Sequence, residues 1–167
     1  MRKIVCIDSN IFIWGVKQKC APGQENKIPR AKNFLNWLDY KEYDILLPSP
    51  MLAEILSPVP LDEHANIMSI ITKRFLIVPF DAIAAKKCAE LLYASFNEPE
   101  LVRYRLENEI PKQKMKYDCM IASICIVRKI EAIYSDDKDI KRFCKDEILV
   151  KGLPDIQPPL KQTDLFS

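Results

Sequence analysis

The chain has 167 residues, of which 49% are hydrophobic, so it is the size of one ordinary domain and can bury a core without disulfide or metal staples. Its 25 Lys and Arg residues nearly cancel its 23 Asp and Glu residues, and the net charge of +2 excludes a uniformly basic nucleic-acid-binding surface. Any basic surface must therefore be local.

The first half of the chain predicts three short strands that alternate with helices. The β-branched and apolar runs Lys3 to Ile7, Asp44 to Leu47 and Phe75 to Pro79 are typical of buried strands. Helices are predicted from Asn10 to Val16, on an apolar face from 31 to 38, from 51 to 56 and from 62 to 74. Pro and Gly mark 17–29 as a loop, and Pro48-Ser49-Pro50 predicts a turn in which Ser49 caps the next helix.

The second half continues the alternation. Asp81 caps a helix that runs to about Phe96, and residues 97–115 fit a helix with flanking loops. A strongly apolar helix covers 116–129, a strand covers 132–134, a helix ends near Cys144, and a last strand covers 148–150. We therefore predict one domain at 1–151, followed by a Pro-rich tail at 152–167 that contributes little to the core and is loose or acts as a docking arm.

This alternation predicts a three-layer α/β/α sandwich around a mostly parallel sheet of four to five strands. Parallel sheets place functional residues beyond the carboxyl ends of their strands. Asp8 and Asp137 each follow a short apolar strand, so this edge is where we expect a site.

The remaining composition favours an intracellular protein without a zinc site. Six cysteines include no CxxC pair and no Cys/His cluster, and most lie in apolar runs, which is typical of buried free thiols in a reducing cytosol. The first apolar run is short and is interrupted by Asp8, so we expect no signal peptide and no membrane span. Three glycines form neither a P-loop nor a GxGxxG turn, and His64 lies far from every motif, so it is assigned a structural or surface role.

Four acidic residues occupy settings that favour a metal site. Mg²⁺ and Mn²⁺ take hard oxygen ligands, and several carboxylates must converge to hold them. The candidates are Asp8 after a strand, Glu54 between apolar neighbours of a helix, Asp118 at the start of the most apolar helix, and Asp137 after a strand. Taken singly, each is also explained as a cap, a turn residue or a solvated side chain. Those simpler explanations do not account for the order in which the four residues occur along the chain.

In this order the chain resembles the PIN-domain family of metal-dependent ribonucleases, which includes the VapC-like toxins of bacterial toxin-antitoxin pairs. The matching pieces span nearly the whole chain: Ile7-Asp8-Ser9-Asn10, Ala53-Glu54-Ile55, Tyr117-Asp118-Cys119-Met120-Ile121-Ala122, and Tyr134-Ser135-Asp136-Asp137-Lys138-Asp139-Ile140. The resemblance implies Mg²⁺ or Mn²⁺ ligation and catalysis by Asp8, Glu54, Asp118 and Asp137. It also implies support from Asn10 and Ser135, with Asp139 as a further ligand.

Two features depart from the family pattern. The segment before Asp118 is longer than in the smallest members, and Asp136 adds a carboxylate that competes with Asp137 for the ligand role. We prefer Asp137 because the spacing Ser-x-Asp-x-Asp fits Ser135, Asp137 and Asp139.

The resemblance further implies a cytoplasmic endoribonuclease that cleaves single-stranded RNA with a metal-activated water. As a toxin-like nuclease the protein would pair with an inhibitory antitoxin-like protein and form a homodimer, although an RNA-processing enzyme and a defence component stay open. Phosphate contacts are predicted from the basic residues before Asp118, and Tyr104 is a candidate for stacking a base, although an exposed tyrosine is also common without such a role. These basic residues, which an ordinary solvated face would explain equally well, are Lys112, Lys114, Lys116, Arg103 and Arg105.

Two other functions compete with this hypothesis. A haloacid-dehalogenase-type phosphatase also places an Asp after its first strand, but it has a second Asp two residues later, where this chain has Asn10, and it leaves Glu54 without a role. A non-catalytic RNA-binding module of the same fold would retain four mutually repelling carboxylates at an electrostatic cost.

Overall fold

A computed structural model describes residues 2–157, and its centre is a five-stranded sheet in which every pair of neighbours is parallel. The strand order is β3-β2-β1-β4-β5. The strands are β1 (Ile4–Ile7), β2 (Asp44–Pro48), β3 (Phe75–Val78), β4 (Ala132–Tyr134) and β5 (Val150–Lys151).

Helices flank this sheet and confirm the three-layer α/β/α sandwich. They are α1 (Ser9–Phe12), which continues into a π-helical turn (Ile13–Lys17), α2 (Lys27–Tyr40), α3 (Ser49–Leu56), a 3₁₀ turn (Leu61–Glu63), α4 (His64–Arg74), α5 (Ala82–Asn97), α6 (Pro99–Glu107), α7 (Lys112–Val127) and α8 (Lys138–Phe143). Within residues 2–157, none of these helices combines the length and apolarity that a membrane crossing requires.

The register of the central strands positions the site. Val5, Cys6 and Ile7 of β1 are fully buried, which is why this apolar run takes the middle of the sheet. In the β1–β4 pair Ile7 lies opposite Tyr134, and the Asp8 amide donates to the Tyr134 carbonyl at 2.9 Å. The residues that follow these two strands therefore emerge side by side at the carboxyl edge.

Helix α7 begins one turn earlier than the sequence analysis predicts. Pro111 is extended, with φ −60° and ψ 138°, and helical backbone starts at Lys112 rather than at residue 116. Asp118 consequently lies in the second turn of α7, and the prediction that it opens the helix is wrong. Its environment is set by packing against other elements rather than by the helix terminus.

Two other local predictions are corrected. Helix α2 starts at Lys27 and takes Pro29 into its first turn, where a proline costs no hydrogen bond. Ser49 does not cap α3, because its hydroxyl accepts a hydrogen bond from the Phe80 amide at 3.1 Å and joins the end of β2 to the segment after β3. The Asp81 cap on α5 is confirmed, with a 2.9 Å bond from the Ala84 amide.

The start of the predicted tail takes part in the core. Leu153 is buried, its amide donates to the Asp136 carboxylate at 2.8 Å, and its carbonyl accepts from Arg30 at 2.7 Å. The division at residue 151 stays a prediction, and residues 158–167 lie outside the described part of the chain.

The cysteines are free, and five of the six are buried; the exception, Cys20, is half-buried. Burial raises the pKa of the Cys119 thiol to about 12, so this thiol stays protonated at neutral pH. The ring of His64 lies 3.0 Å from the Val59 carbonyl through Nε2, which agrees with a structural role.

Candidate metal centre

A cleft of about 620 Å³ opens at the carboxyl ends of β1 and β4. All four acidic residues singled out in the sequence line it: Asp8, Glu54, Asp118 and Asp137. They come from the end of β1, from α3, from α7 and from the turn before α8, so segments distant in sequence meet at one edge of the sheet.

Asp8 is held at the base of the cleft by two hydrogen bonds. Its Oδ1 accepts from the Ile11 amide at 2.8 Å, which caps α1, and its Oδ2 accepts from the Ser135 hydroxyl at 2.6 Å. The same hydroxyl oxygen accepts from the Asp137 amide at 3.0 Å. Ser135 therefore links Asp8 to Asp137, and burial raises the pKa of Asp8 to about 6 even though both hydrogen bonds to its carboxylate oppose the shift.

Three other carboxylates form a tight group. Asp118, Asp137 and Asp139 each offer one oxygen, and these oxygens lie within 4.8 Å of one another. The Oδ2 atom of Asp118 is buried without a hydrogen-bond partner. Burial, reinforced by the charges of Asp137 and Asp139, raises the pKa of Asp118 to about 7, although Lys114 pulls it down.

The Lys114 ammonium lies among these three carboxylates. Its Nζ donates to Asp139 and to Asp137, the latter at 2.7 Å, and is 3.7 Å from Asp118 Oδ2. Burial alone would lower the pKa of Lys114, but its hydrogen bonds to Asp137 and Asp139 raise it, so the ammonium stays charged. Sequence reasoning missed this contact, although the spacing of Lys114 and Asp118, one helical turn apart, was the available signal.

Asp136 and Asp137, the two candidates for the same ligand role, lie in different surroundings in the structure. Asp136 points out of the cluster, where it pairs with Lys27 at 2.5 Å and accepts from the Leu153 amide. Burial would raise the pKa of Asp136, but the Lys27 and Leu153 contacts lower it overall. Asp137 lines the cleft, and Asp139 lies with Asp137 and Asp118 in the group of carboxylates.

Tyr104 holds Asp139 rather than standing free to stack a base. Its hydroxyl donates to Asp139 Oδ1 at 2.9 Å, its ring meets that of Phe143 edge-on, and the Arg142 guanidinium lies over it at 5.5 Å. Tyr104 therefore positions a carboxylate, and the base-stacking prediction is not supported by this half-buried placement.

Glu54 and Asn10 complete the rim. Both are exposed and line the cleft, outside the 4.8 Å group of carboxylate oxygens. Tyr117 of α7 donates to the Pro50 carbonyl at 3.2 Å and so ties α7 to α3, the helix that carries Glu54.

The five basic residues that were predicted to contact phosphate do not all lie at the cleft. Only Lys114 of the five lines the cleft, whereas Lys112 and Lys116 are exposed outside it. Arg103 lies in a separate groove of about 350 Å³ beside Tyr104, and Arg105 is half-buried.

A second basic group was missed by the sequence analysis. A cavity of about 580 Å³ next to Tyr104 is lined by Lys138, Lys141, Arg142 and Lys145. The spacing of Lys138, Lys141 and Arg142 at i, i+3 and i+4 was the available signal, because it places them on one face of α8. Acidic neighbours partly neutralise this basic group, since Lys145 pairs with Glu98 and Arg142 lies 4.0 Å from Glu100.

The donor set fits a divalent cation of the Mg²⁺ or Mn²⁺ type. These ions prefer carboxylate oxygens and keep several waters, and the described cluster offers three converging carboxylates with Asp8 beside them. The unpartnered Oδ2 of Asp118 is the atom that such an ion would satisfy.

Comparisons with known proteins show the family and the fold of the chain. The sequence model described as "PIN domain" matches residues 5–146. No curated protein matches the chain. A chain in the crystal structure of VapBC2 from Rickettsia felis bound to a DNA fragment from their promoter is similar in fold, with a TM-score of 0.59, 19% identity, and coverage of 90% of this chain and 99% of that one. A chain in the crystal structure of DNA-bound VapBC from Salmonella typhimurium gives a TM-score of 0.61, 16% identity, and coverage of 92% and 100%.

Proposed function

The chain belongs to the PIN domain family, and from this membership we propose that it is a divalent-metal-dependent endoribonuclease that cleaves single-stranded RNA. The observation that carries the proposal is the group formed by Asp118, Asp137 and Asp139, of which Asp118 and Asp137 line the same open cleft as Asp8. Lys114 supplies one positive charge against these three carboxylates, so repulsion remains within the group that a bound cation would relieve.

Asp118, Asp137 and Asp139 would hold the cation, with Asp8 and Glu54 facing the same cleft to bind waters around it. A bound divalent ion supplies a more acidic water and stabilises negative charge on phosphate oxygens. Among the described residues that line the cleft there is no histidine or cysteine, so the carboxylates are the groups available to accept a proton.

The supporting residues keep these carboxylates in place. Ser135 fixes the spacing between Asp8 and Asp137 through its two hydrogen bonds, and Asn10 presents an amide at the rim that can orient a water or a phosphate oxygen. Lys114 is the basic side chain best placed to meet a phosphate in the cleft, and Lys112, Lys116, Arg103 and Arg105 would act farther along the strand.

We also propose a protein partner that inhibits the nuclease. The two similar solved structures are VapBC complexes bound to DNA. By analogy with them this chain would be the toxin of a toxin-antitoxin pair that acts in the cytoplasm and dimerises, and the antitoxin-like partner would restrict access to the cleft. Purification of the protein with the product of a neighbouring reading frame, followed by loss of nuclease activity in that complex, would test this.

The central experiment is cleavage of a labelled single-stranded RNA of mixed sequence in Mg²⁺, in Mn²⁺ and in chelator. Asp137→Asn tests the cluster, and Asp136→Asn is its matched control because it removes the same charge from the neighbouring residue outside the cleft. We expect cleavage that requires metal, disappears in Asp137→Asn and persists in Asp136→Asn.

Two parallel substrates separate the alternatives. Cleavage of single-stranded DNA but not of RNA would contradict the substrate class and leave the metal site standing. Turnover of a generic aryl phosphate that is lost in Asp8→Asn would favour the phosphatase instead. Tight RNA binding without cleavage in either metal would favour the non-catalytic module.

A further inference from the structure

In Asp137 and Asp139, one carboxylate oxygen accepts a hydrogen bond from another residue and the other oxygen contacts Lys114. Asp137 Oδ1 accepts from the Asp139 amide at 2.8 Å, and Asp139 Oδ1 accepts from Tyr104. The Oδ2 atom of each of these aspartates is instead paired with the Lys114 ammonium, and Asp118 Oδ2 lies 3.7 Å from it. The side chains of Asp137 and Asp139 would therefore keep these hydrogen bonds if Lys114 left.

The three carboxylates that Lys114 contacts through their Oδ2 atoms are the same three that could hold a divalent ion. Asp118, Asp137 and Asp139 converge within 4.8 Å, which encloses room for one cation. An ammonium and a divalent ion a few Å apart repel each other strongly, because like charges at that range are poorly screened at a partly buried site. The two cations therefore exclude each other.

The Lys114 side chain is not enclosed by the protein. Its side chain is 39% exposed, and it reaches the cluster through four flexible methylene groups from the first turn of α7. Release of the ammonium would leave it at the wall of the cleft, where Gln113 and Tyr117 of the same helix also lie.

We propose that Lys114 is a tethered counter-cation that occupies the acidic cluster, competes with the divalent metal for it, and is expelled into the cleft when metal binds. This inference rests on the metal site of the proposed function. It deepens that function, because the affinity of the site for a divalent metal would depend on Lys114. An expelled ammonium would then be available to a substrate phosphate only in the metal-bound protein.

Mn²⁺ binding to the full chain tests the competition directly. Free Mn²⁺ is measured by electron paramagnetic resonance at about pH 8 in titrations of the wild type, Lys114→Met and Lys116→Met. Methionine keeps the length of the side chain and removes the charge, and Lys116, exposed on the same helix outside the cleft, is the matched control for loss of one positive charge.

Lys114→Met is expected to bind Mn²⁺ about tenfold more tightly than the wild type, or better, because it removes a competing charge in direct contact. Lys116→Met should stay within about twofold of the wild type, because a charge exposed to solvent is screened. Asp137→Asn in the Lys114→Met background should weaken binding again, which would place the ion at the cluster.

A second measurement uses the unaltered protein. Acetylation of lysine amines by a water-soluble ester, read by mass spectrometry, should be slow at Lys114 in chelator and faster in Mn²⁺, with Lys116 as the internal reference. Faster labelling of both lysines in Mn²⁺ would report a general opening of α7 and would overturn the proposed exchange.

The outcomes separate this inference from the proposed function. Equal or weaker Mn²⁺ binding by Lys114→Met, with metal-dependent RNA cleavage intact, overturns the role of Lys114 alone. Absence of Mn²⁺ binding in both proteins overturns the role of Lys114 and the metal site together. Tighter binding by Lys114→Met without any RNA cleavage supports the exchange and contradicts the nuclease.

Discussion

Replacement of Asp118 by Asn is expected to stabilise the metal-free protein at alkaline pH. The folded protein raises the pKa of Asp118 from 3.8 to about 7, chiefly by burial. Each pKa unit corresponds to about 1.4 kcal/mol, so ionised Asp118 costs the folded state about 4 kcal/mol at pH 8. Its side chain is only 14% exposed, so little of this cost is screened by solvent, and the pKa already includes the attraction of Lys114.

The pH dependence follows from the direction of the shift. Between pH 3.8 and about 7 the folded protein holds a proton on Asp118 that the unfolded chain has lost, so stability falls as the pH rises through this window. The advantage of Asp118→Asn should therefore shrink from about 4 kcal/mol at pH 8 to about 2 kcal/mol at pH 5.

Urea unfolding in chelator at pH 8 and pH 5 measures both values. Asp136→Asn is a control of opposite sign, because Lys27 and the Leu153 amide lower the pKa of Asp136, and its charged form stabilises the fold above the unfolded pKa. Mn²⁺ at a hundredfold excess over Kd should raise the free energy of unfolding of the wild type alone, by about 3 kcal/mol. The difference in stability between Asp118→Asn and the wild type at pH 8 should then become smaller. If Asp118→Asn is no more stable than the wild type at pH 8 in chelator, the reasoning about its burial is refuted.

Three further substitutions test hydrogen bonds and packing at the site and elsewhere in the fold. Ser135→Ala should lower stability by about 1–3 kcal/mol and weaken Mn²⁺ binding, measured by urea unfolding and titration, because it removes the hydroxyl that bridges Asp8 to the next carboxylate. Gly15→Ala should cost about 1–3 kcal/mol without changing Mn²⁺ affinity, because the new Cβ would lie 2.5 Å from Cδ1 of the fully buried Leu35; an unchanged midpoint of unfolding would contradict the tight packing. Asp81→Ala should lower the unfolding midpoint by the equivalent of about 1 kcal/mol through loss of the α5 cap, and an effect on metal binding would show that this distant helix end matters to the site.

Much of the fold could be predicted because its signals are local. The short apolar run of Val5 to Ile7, which stops at Asp8, favours a buried strand, and the faces of α2 and α5 repeat at the helical period. Errors fell at element ends, such as the start of α7 and the cap at Ser49, since a distant amide or a neighbouring proline decides those positions.

The sequence by itself determined the alternation of strands and helices, the order of the acidic residues, and hence their meeting at the carboxyl edge of a parallel sheet, because each of these depends on hydrophobic period and chain order. The Ser-x-Asp-x-Asp spacing favoured Asp137, but only the tertiary structure decided that Asp136 pairs with Lys27, which lies 109 residues away in the sequence. It also decided that the Lys114 ammonium enters the cluster, because the carboxylates of Asp137 and Asp139 reach it from a segment more than twenty residues away. Contacts of this kind depend on packing in three dimensions, which no local pattern of residues encodes.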